Sequence, residues 1–470
     1  MKRSTGWVRL ALAGTMLAAL PSAAFAQTPR EAELEARLRA LEESVATLRA
    51  ELDAARASQA QAQQLAMTTA QAASDQAKAA EVRVAAMEGK PATVAEGFKV
   101  GGTAVKIGGF VKTVATFSRW DDGDVAANSF GRDFYLPSAI PVGGVRESTD
   151  NDFSAKQTRL FLSLDSSIGD HVLKGYLETD FQTAPGSQGS ERTTNGYNLA
   201  LRRAYLQFDA LTVGQDWTTF QYVGALPEST DFVGATEGTP FVRQPLIRYS
   251  AKLSPEAMLH LSVENAETAS ATNAAPALVE NDDDRIPDFA ARLAYTAKFG
   301  ELSLAGVVRQ LSVDNGGVDA NATGWGVSGG GKIFLNDKKS SDLRFLASYG
   351  KGIGRYLGLN FAPDAIYITA EDELETPSVF AALAAARIAL TDTVRANLIG
   401  SIQDVSYPDE PVDGYFGAFN GKAWSLAGNL FWSPVKQLDL GVEYRHGERQ
   451  LENGLSGQLD RLEFAAKYSF

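Results

Sequence analysis

The chain has no cysteine and only three histidines, His171, His260 and His446. The first absence excludes disulfides and thiol chemistry. The second, with the three scattered, excludes a histidine-built metal centre. Long apolar runs are scarce too. The one candidate, Leu10 to Leu20, is shorter than the ~20 residues that a helical span requires. It follows Lys2, Arg3 and Arg9 and precedes Pro21 and the small-residue triplet Ala24-Phe25-Ala26, so residues 1–26 read as a secretory signal. Positive charge is in deficit: the formal net charge is −13, and it becomes −16 when Lys2, Arg3 and Arg9 leave with the signal. A chain this acidic is excluded from non-specific nucleic-acid binding. Catalytic motifs are missing as well. Gly326 to Lys332 copies the spacing of a phosphate-binding loop, but Ile333 stands where Ser or Thr is needed. The reading is therefore no enzyme, no cofactor and no metal, with Asp121, Asp122, Asp124 and Asp282 to Asp284 as solvated loop acids.

Past the signal, Leu34, Leu38, Leu41, Val45, Leu48 and Leu52 are spaced four, three, four, three, four. That is an a/d heptad seam, with Arg37 at g facing Glu42 at e, and it predicts an oligomerising coiled coil over 27–90. Gly89 and Pro91 end the helix, and 91–105 read as a linker.

From Lys106 to Phe470 the period changes to two. Leu462, Phe464, Ala466, Tyr468 and Phe470 share one face of the last strand; Arg461, Glu463, Lys467 and Ser469 share the other. Short turns are expected at 167–170, 209–210, 254–256, 336–339, 391–392 and 433–434, and near Gly300. Long polar segments are expected at 119–155, 183–198, 220–243, 268–285, 314–321, 353–376, 406–420 and 450–457. Seven short turns alternating with eight long loops predict a transmembrane β-barrel of about sixteen antiparallel strands over 106–470, in a bacterial outer membrane, with the helix in the periplasm. The terminal Phe470 reads as a signal to the machinery that assembles barrels. Lipid and lipopolysaccharide are the surroundings such a barrel implies.

If the apolar parity faces lipid, the other parity faces the lumen. It places Arg159, Arg203, Arg248 and Arg292 inside on four successive descending strands at similar height, and Arg309, Arg344, Arg387 and Arg395 inside on the far side. Arginines lining a narrow pore attract small anions and orient carboxylates. The third long loop carries Glu228, Asp231 and Glu237; folded inward, it would set acids opposite the arginines. Phosphate- or sugar-specific transport and an envelope tether built on the coiled coil are the alternatives.

The order of signal, heptad helix, linker and barrel and four stretches carry a family resemblance: Ile107 to Lys112; Gln157 to Leu160; Leu201 to Leu206; and Leu211 to Phe220. With these the chain resembles the DcaP-like porins of Gram-negative outer membranes. The resemblance covers nearly the whole mature chain, and Leu201 to Phe220 is its most specific part. It implies a homotrimer of sixteen-stranded barrels with a periplasmic coiled coil, admitting small anionic solutes such as dicarboxylates. Arg159, Arg203 and Arg248 would be its wall arginines.

Overall fold

The computed structural model describes residues 97–144, 146–183, 194–273, 275–315, 317–408 and 416–470, all within one compact unit, Thr93–Phe470. The signal, the seam from Leu34 to Leu52 and most of the linker lie outside the described residues.

Sixteen strands among the described residues close into an antiparallel barrel. They are β1 (Thr103–Trp120), β2 (Ser148–Ser154 and Arg159–Ile168, interrupted once), β3 (His171–Asp180), β4 (Ala200–Phe208), β5 (Leu211–Trp217), β6 (Arg243–Lys252), β7 (Ala257–Glu264) and β8 (Asp288–Ala297). They continue as β9 (Gly300–Asn315), β10 (Val318–Phe334), β11 (Asp342–Lys351), β12 (Ser378–Ala389), β13 (Val394–Ser406), β14 (Asn420–Val435), β15 (Leu438–Leu451) and β16 (Ser456–Ser469). The barrel closes where β1 pairs with β16, from Phe110 opposite Ser469 to Trp120 opposite Leu459. Phe470 completes the seam: its N–H donates to the Gly109 carbonyl at 3.1 Å and its carbonyl accepts from the Gly109 N–H at 3.3 Å. Gly109 has φ +150°, and a Cβ there would lie 2.2 Å from the Arg159 carbonyl, so the position where β1 meets both neighbours requires glycine.

No helix among the described residues is long and apolar enough to cross a membrane. The strands cross instead, because closure pairs every backbone group within the wall. Alternation does the rest. Leu206, Leu304, Leu398, Leu426 and Phe464 stand exposed on the outer face, where lipid replaces water as their solvent.

The apolar core lies inside the barrel rather than between layers. Phe220, Ile353, Tyr356, Leu357, Phe361 and Val379 pack together where the loops after β5 and β11 fold into the outer half of the lumen. A second sheet joins the loops at 265–287 and 352–377, with Ala269–Thr272 lying parallel to Ala365–Ile368.

Three boundaries differ from the sequence expectation. The segment 314–321 is no long loop: Asn315 pairs with Val318 at the tip of a β9–β10 hairpin that rises above its neighbours. Ser433 and Pro434 sit inside β14 at a register irregularity, and the turn falls at 436–437; a proline without an N–H is tolerated at such an interruption. The last outer connection, 452–455, is also tight.

Candidate functional site

The loop at 218–242 crosses the barrel interior, held by strands far from its own. At its start the Thr219 N–H donates to Glu264 at 2.8 Å, and the Tyr222 hydroxyl donates to Glu301 in β9 at 2.8 Å. Glu228 takes Arg395 Nε at 2.8 Å and Nη2 at 2.6 Å, with Arg387 Nε at 3.2 Å. The Leu226 carbonyl accepts from Arg344. Ser229 Oγ donates to Glu443 in β15, and Lys112 Nζ in β1 reaches the Thr230 carbonyl at 2.6 Å. From Tyr222 to Thr230 the loop therefore lies against β9 to β16 and β1, whereas Thr219 touches β7 and β8 and the Phe232 ring lies 5.2 Å from Arg202 on the opposite wall.

The three acids of this loop have different tasks. Glu228 is the latch onto Arg387 and Arg395. Burial by itself would raise its pKa, but the Arg395 hydrogen bond and both guanidinium charges outweigh burial and hold it below the usual carboxylate range. Asp231 is buried, accepting from the Tyr135 N–H at 2.6 Å and from the Val233 and Gly234 N–H groups at 2.9 Å, so it shapes the loop. Glu237 is fully buried against Ser401 Oγ at 2.7 Å, and burial pushes its carboxyl up. The arrangement of three acids facing the arginine wall is thus corrected. Backbone N–H groups and hydroxyls take two of them, and only Glu228 meets guanidiniums.

The facing wall carries Arg159, Arg203, Arg248 and Arg292, at the positions that alternation gave them, but not as bare neighbouring charges. Carboxylates of the intervening ascending strands stand between them. Arg159 lies 3.6 Å from Asp180 and 3.8 Å from Glu178. Arg203 Nε donates to Asp216 at 2.6 Å, and Arg248 pairs with the other oxygen of Asp216. Two further arginines join this wall. Arg202 is buried on Glu178 at 2.7 Å and on Asp180. Arg243 lies 5.2 Å from the Trp217 ring, a cation–π contact.

Strict alternation hides Arg202 because a bulge opposite Glu178 and Thr179 turns both Arg202 and Arg203 inward. The signal was in the sequence: Leu201 and Leu206 both face lipid, an odd five residues apart. Four of these six guanidiniums, those of Arg159, Arg202, Arg203 and Arg248, thus meet three carboxylates within ion-pair reach. Among the described residues, Arg243 and Arg292 have no carboxylate at that distance; Arg292 donates only to the Thr219 carbonyl at 3.1 Å.

On the other side, Arg344 pairs with Asp342 at 2.6 Å and Arg395 also reaches Asp439 at 3.1 Å. Arg309 departs from the expected lumen lining. It is fully buried, 2.8 Å from Asp364 and 3.4 Å from Asp288, beneath the loop at 352–377. That loop fills the outer lumen beside β8 and β9, so the inward-pointing side chain meets protein instead of water.

Glu228→Gln tests the latch. The substitution keeps the shape and removes the charge that Arg387 and Arg395 share, weakening that end of the loop by about 1–2 kcal/mol after allowance for its partial exposure. Single-channel recordings should show more open-channel current noise than the native barrel; equal noise would mean that other contacts suffice to hold the loop.

A closed barrel with short turns at one end, long loops at the other, an apolar outer band and a charged interior crossed by a loop is an outer-membrane channel of the porin type. A family model described as DcaP outer membrane protein matches residues 137–470. The chain belongs to that family. Among solved structures it is similar to the outer membrane channel DcaP of Acinetobacter baumannii, with 28% identity, TM-score 0.64, and coverage of 80% of this chain and 99% of that one. It also matches OmpT of Vibrio cholerae at 12% identity and TM-score 0.49, over 80% of this chain and 100% of that one. An anion-selective porin from Comamonas acidovorans matches at 13% identity and TM-score 0.46, over 78% and 100%. None of the curated proteins matches the chain.

Proposed function

We propose that this channel passes small hydrophilic solutes by diffusion and prefers anions, dicarboxylates among them. The observation that carries this reading is the imbalance on the β2 to β8 wall, where Arg159, Arg202, Arg203 and Arg248 share three carboxylates and Arg243 and Arg292 have none within ion-pair reach among the described residues. Partly exposed guanidiniums inside a barrel wall face lumen water. A narrow low-dielectric channel concentrates their field on a passing ion. Two cationic edges on one wall favour a solute with two carboxylates. In the same reading the seam from Leu34 to Leu52 gathers three chains in the periplasm, each presenting one barrel to lipid and lipopolysaccharide, and Phe470 is read by the assembly machinery.

Reversal potentials in a KCl gradient test the charge preference, and succinate against succinamide tests the dicarboxylate preference at equal size. Chloride should permeate ahead of potassium, and succinate should interrupt the current for longer than succinamide. Potassium preference would overturn the anion reading; equal interruptions would overturn the dicarboxylate one.

A further inference from the structure

On the periplasmic side of Arg203 the lumen wall carries a row of three offset-stacked aromatic rings, from three adjacent strands. Phe161 in β2 lies 6.0 Å from Tyr176 in β3, centroid to centroid, with 23° between the ring planes. Tyr176 lies 5.3 Å from Tyr205 in β4, with 27° between planes. Register explains the alignment. Tyr176 and Tyr205 are directly paired, and Phe161 sits on the diagonal because Ser163 is the residue opposite Tyr176. Glycine flanks the strip at both ends. Gly108 pairs with Phe161, and a Cβ there would lie 2.4 Å from its ring; Gly214 pairs with Tyr205, and a Cβ there would lie 2.6 Å from its Cα.

These rings are not core. All three are half-buried, and the buried apolar clusters of the described residues contain none of them. The rings lean on one another in an offset stack, and the parts of their surfaces left open are in an unfavourable setting unless something flat covers them. Arg203 stands over the strip, 4.8 Å from the Tyr176 ring and 5.4 Å from the Tyr205 ring. It directs Nε to Asp216 and leaves Nη1 3.7 Å from Glu178, so N–H donors remain for an incoming acceptor.

We infer that the strip of Phe161, Tyr176 and Tyr205, with Arg203 at its edge, is a binding site for planar aryl carboxylates. The ring lies on the strip and the carboxylate takes the guanidinium. This deepens the anion-channel reading and rests on it for how the solute enters.

Benzoate and cyclohexanecarboxylate have the same charge and nearly the same size, but only benzoate is flat. In planar bilayers holding the full-chain protein, benzoate should interrupt the current about three to ten times longer, the range that ring-on-ring contact supplies. Tyr176→Leu combined with Tyr205→Leu should bring benzoate down to the cyclohexanecarboxylate time, and Phe161→Leu alone should give a smaller fall of the same sign. Equal times in the native channel would overturn the site, as would a benzoate time untouched by both variants. So would a neutral hexose that interrupts as long as benzoate, since stacking would then act without the carboxylate. The ratio is taken within one pore, so it reports on the strip even if KCl reversal potentials show potassium preference and the parent reading falls.

Discussion

A channel in which Arg243 and Arg292 are both glutamine will lose most of the proposed preference for chloride over potassium, and it will keep its fold. These are the two guanidiniums of the β2 to β8 wall without a carboxylate within ion-pair reach among the described residues. Removing them takes two cations from the wall and leaves Arg159, Arg202, Arg203 and Arg248 against Glu178, Asp180 and Asp216. At roughly 6 Å a unit charge shifts a passing monovalent ion by about 0.7 kcal/mol in bulk-like water and by more where the wall excludes water. The shift acts with opposite sign on chloride and potassium. Each lost charge therefore moves the chloride–potassium difference by about 1.4 kcal/mol, roughly tenfold, so two should lower the permeability ratio by up to about a hundredfold, with the drop greatest at low salt. The fold is spared because Arg243 is held by the Trp217 and Phe241 rings and Arg292 by one carbonyl, which glutamine can still reach with an amide donor. The reversal potential in a KCl gradient decides the matter. An unchanged value would mean that these two cations are not what sorts ions. Arg203→Gln is the informative comparison: Asp216 keeps Arg248, so the loss should be about half as large on a logarithmic scale.

Much of this wall was legible in the sequence. Alternation alone separates Leu160 and Leu206 on the lipid face from Arg159 and Arg203 on the lumen face, because a charge facing lipid at mid-membrane costs several kcal/mol and the pattern cannot slip by one residue. Parity failed where the strand is not regular. The bulge beside Arg202 turns two consecutive arginines inward, and no local rule marks which residue bulges. Parity also says which side a residue faces, not what it meets there. Arg159 and Arg309 have the same inward reading, yet one keeps contact with lumen water and the other is sealed under a loop. That difference is set by the paths of the loops at 218–242 and 352–377. Their contacts, such as Glu228 with Arg395 and Arg309 with Asp364, join positions far apart in the chain. The carboxylates were hidden differently: Glu178, Asp180 and Asp216 lie on ascending strands with the correct parity, but their matching to particular arginines depends on strand stagger.

Arg309→Met should cost the outer half of the barrel more than any charge substitution on the open wall. The guanidinium is enclosed by Asp364 at 2.8 Å, Asp288 at 3.4 Å, and the Gly352 and Glu267 carbonyls, with the Tyr356 ring 5.4 Å away. Asp288 also accepts from the Tyr356 hydroxyl at 2.6 Å, and Asp364 accepts from the Arg355 and Ala269 N–H groups. One cation thus ties β8 and β9 to both the 265–287 and 352–377 loops. Methionine fills similar space but strands two buried carboxylates, a loss of about 3–5 kcal/mol. The damage should appear first where the contacts are loop contacts: faster proteolytic cleavage within 352–377 and a lower temperature for conversion of the folded barrel to the unfolded band on a gel. The reversal potential in a KCl gradient should change little, because Arg309 does not face lumen water. Combining Arg309→Met with Asp288→Asn and Asp364→Asn removes the stranded charges and should recover much of the lost temperature, since an ion cluster replaced as a whole costs far less than one broken in half. Full stability in the single variant would show that the loops hold without this cluster. A triple variant no better than the single one would place the effect in packing around Tyr356 rather than in charge.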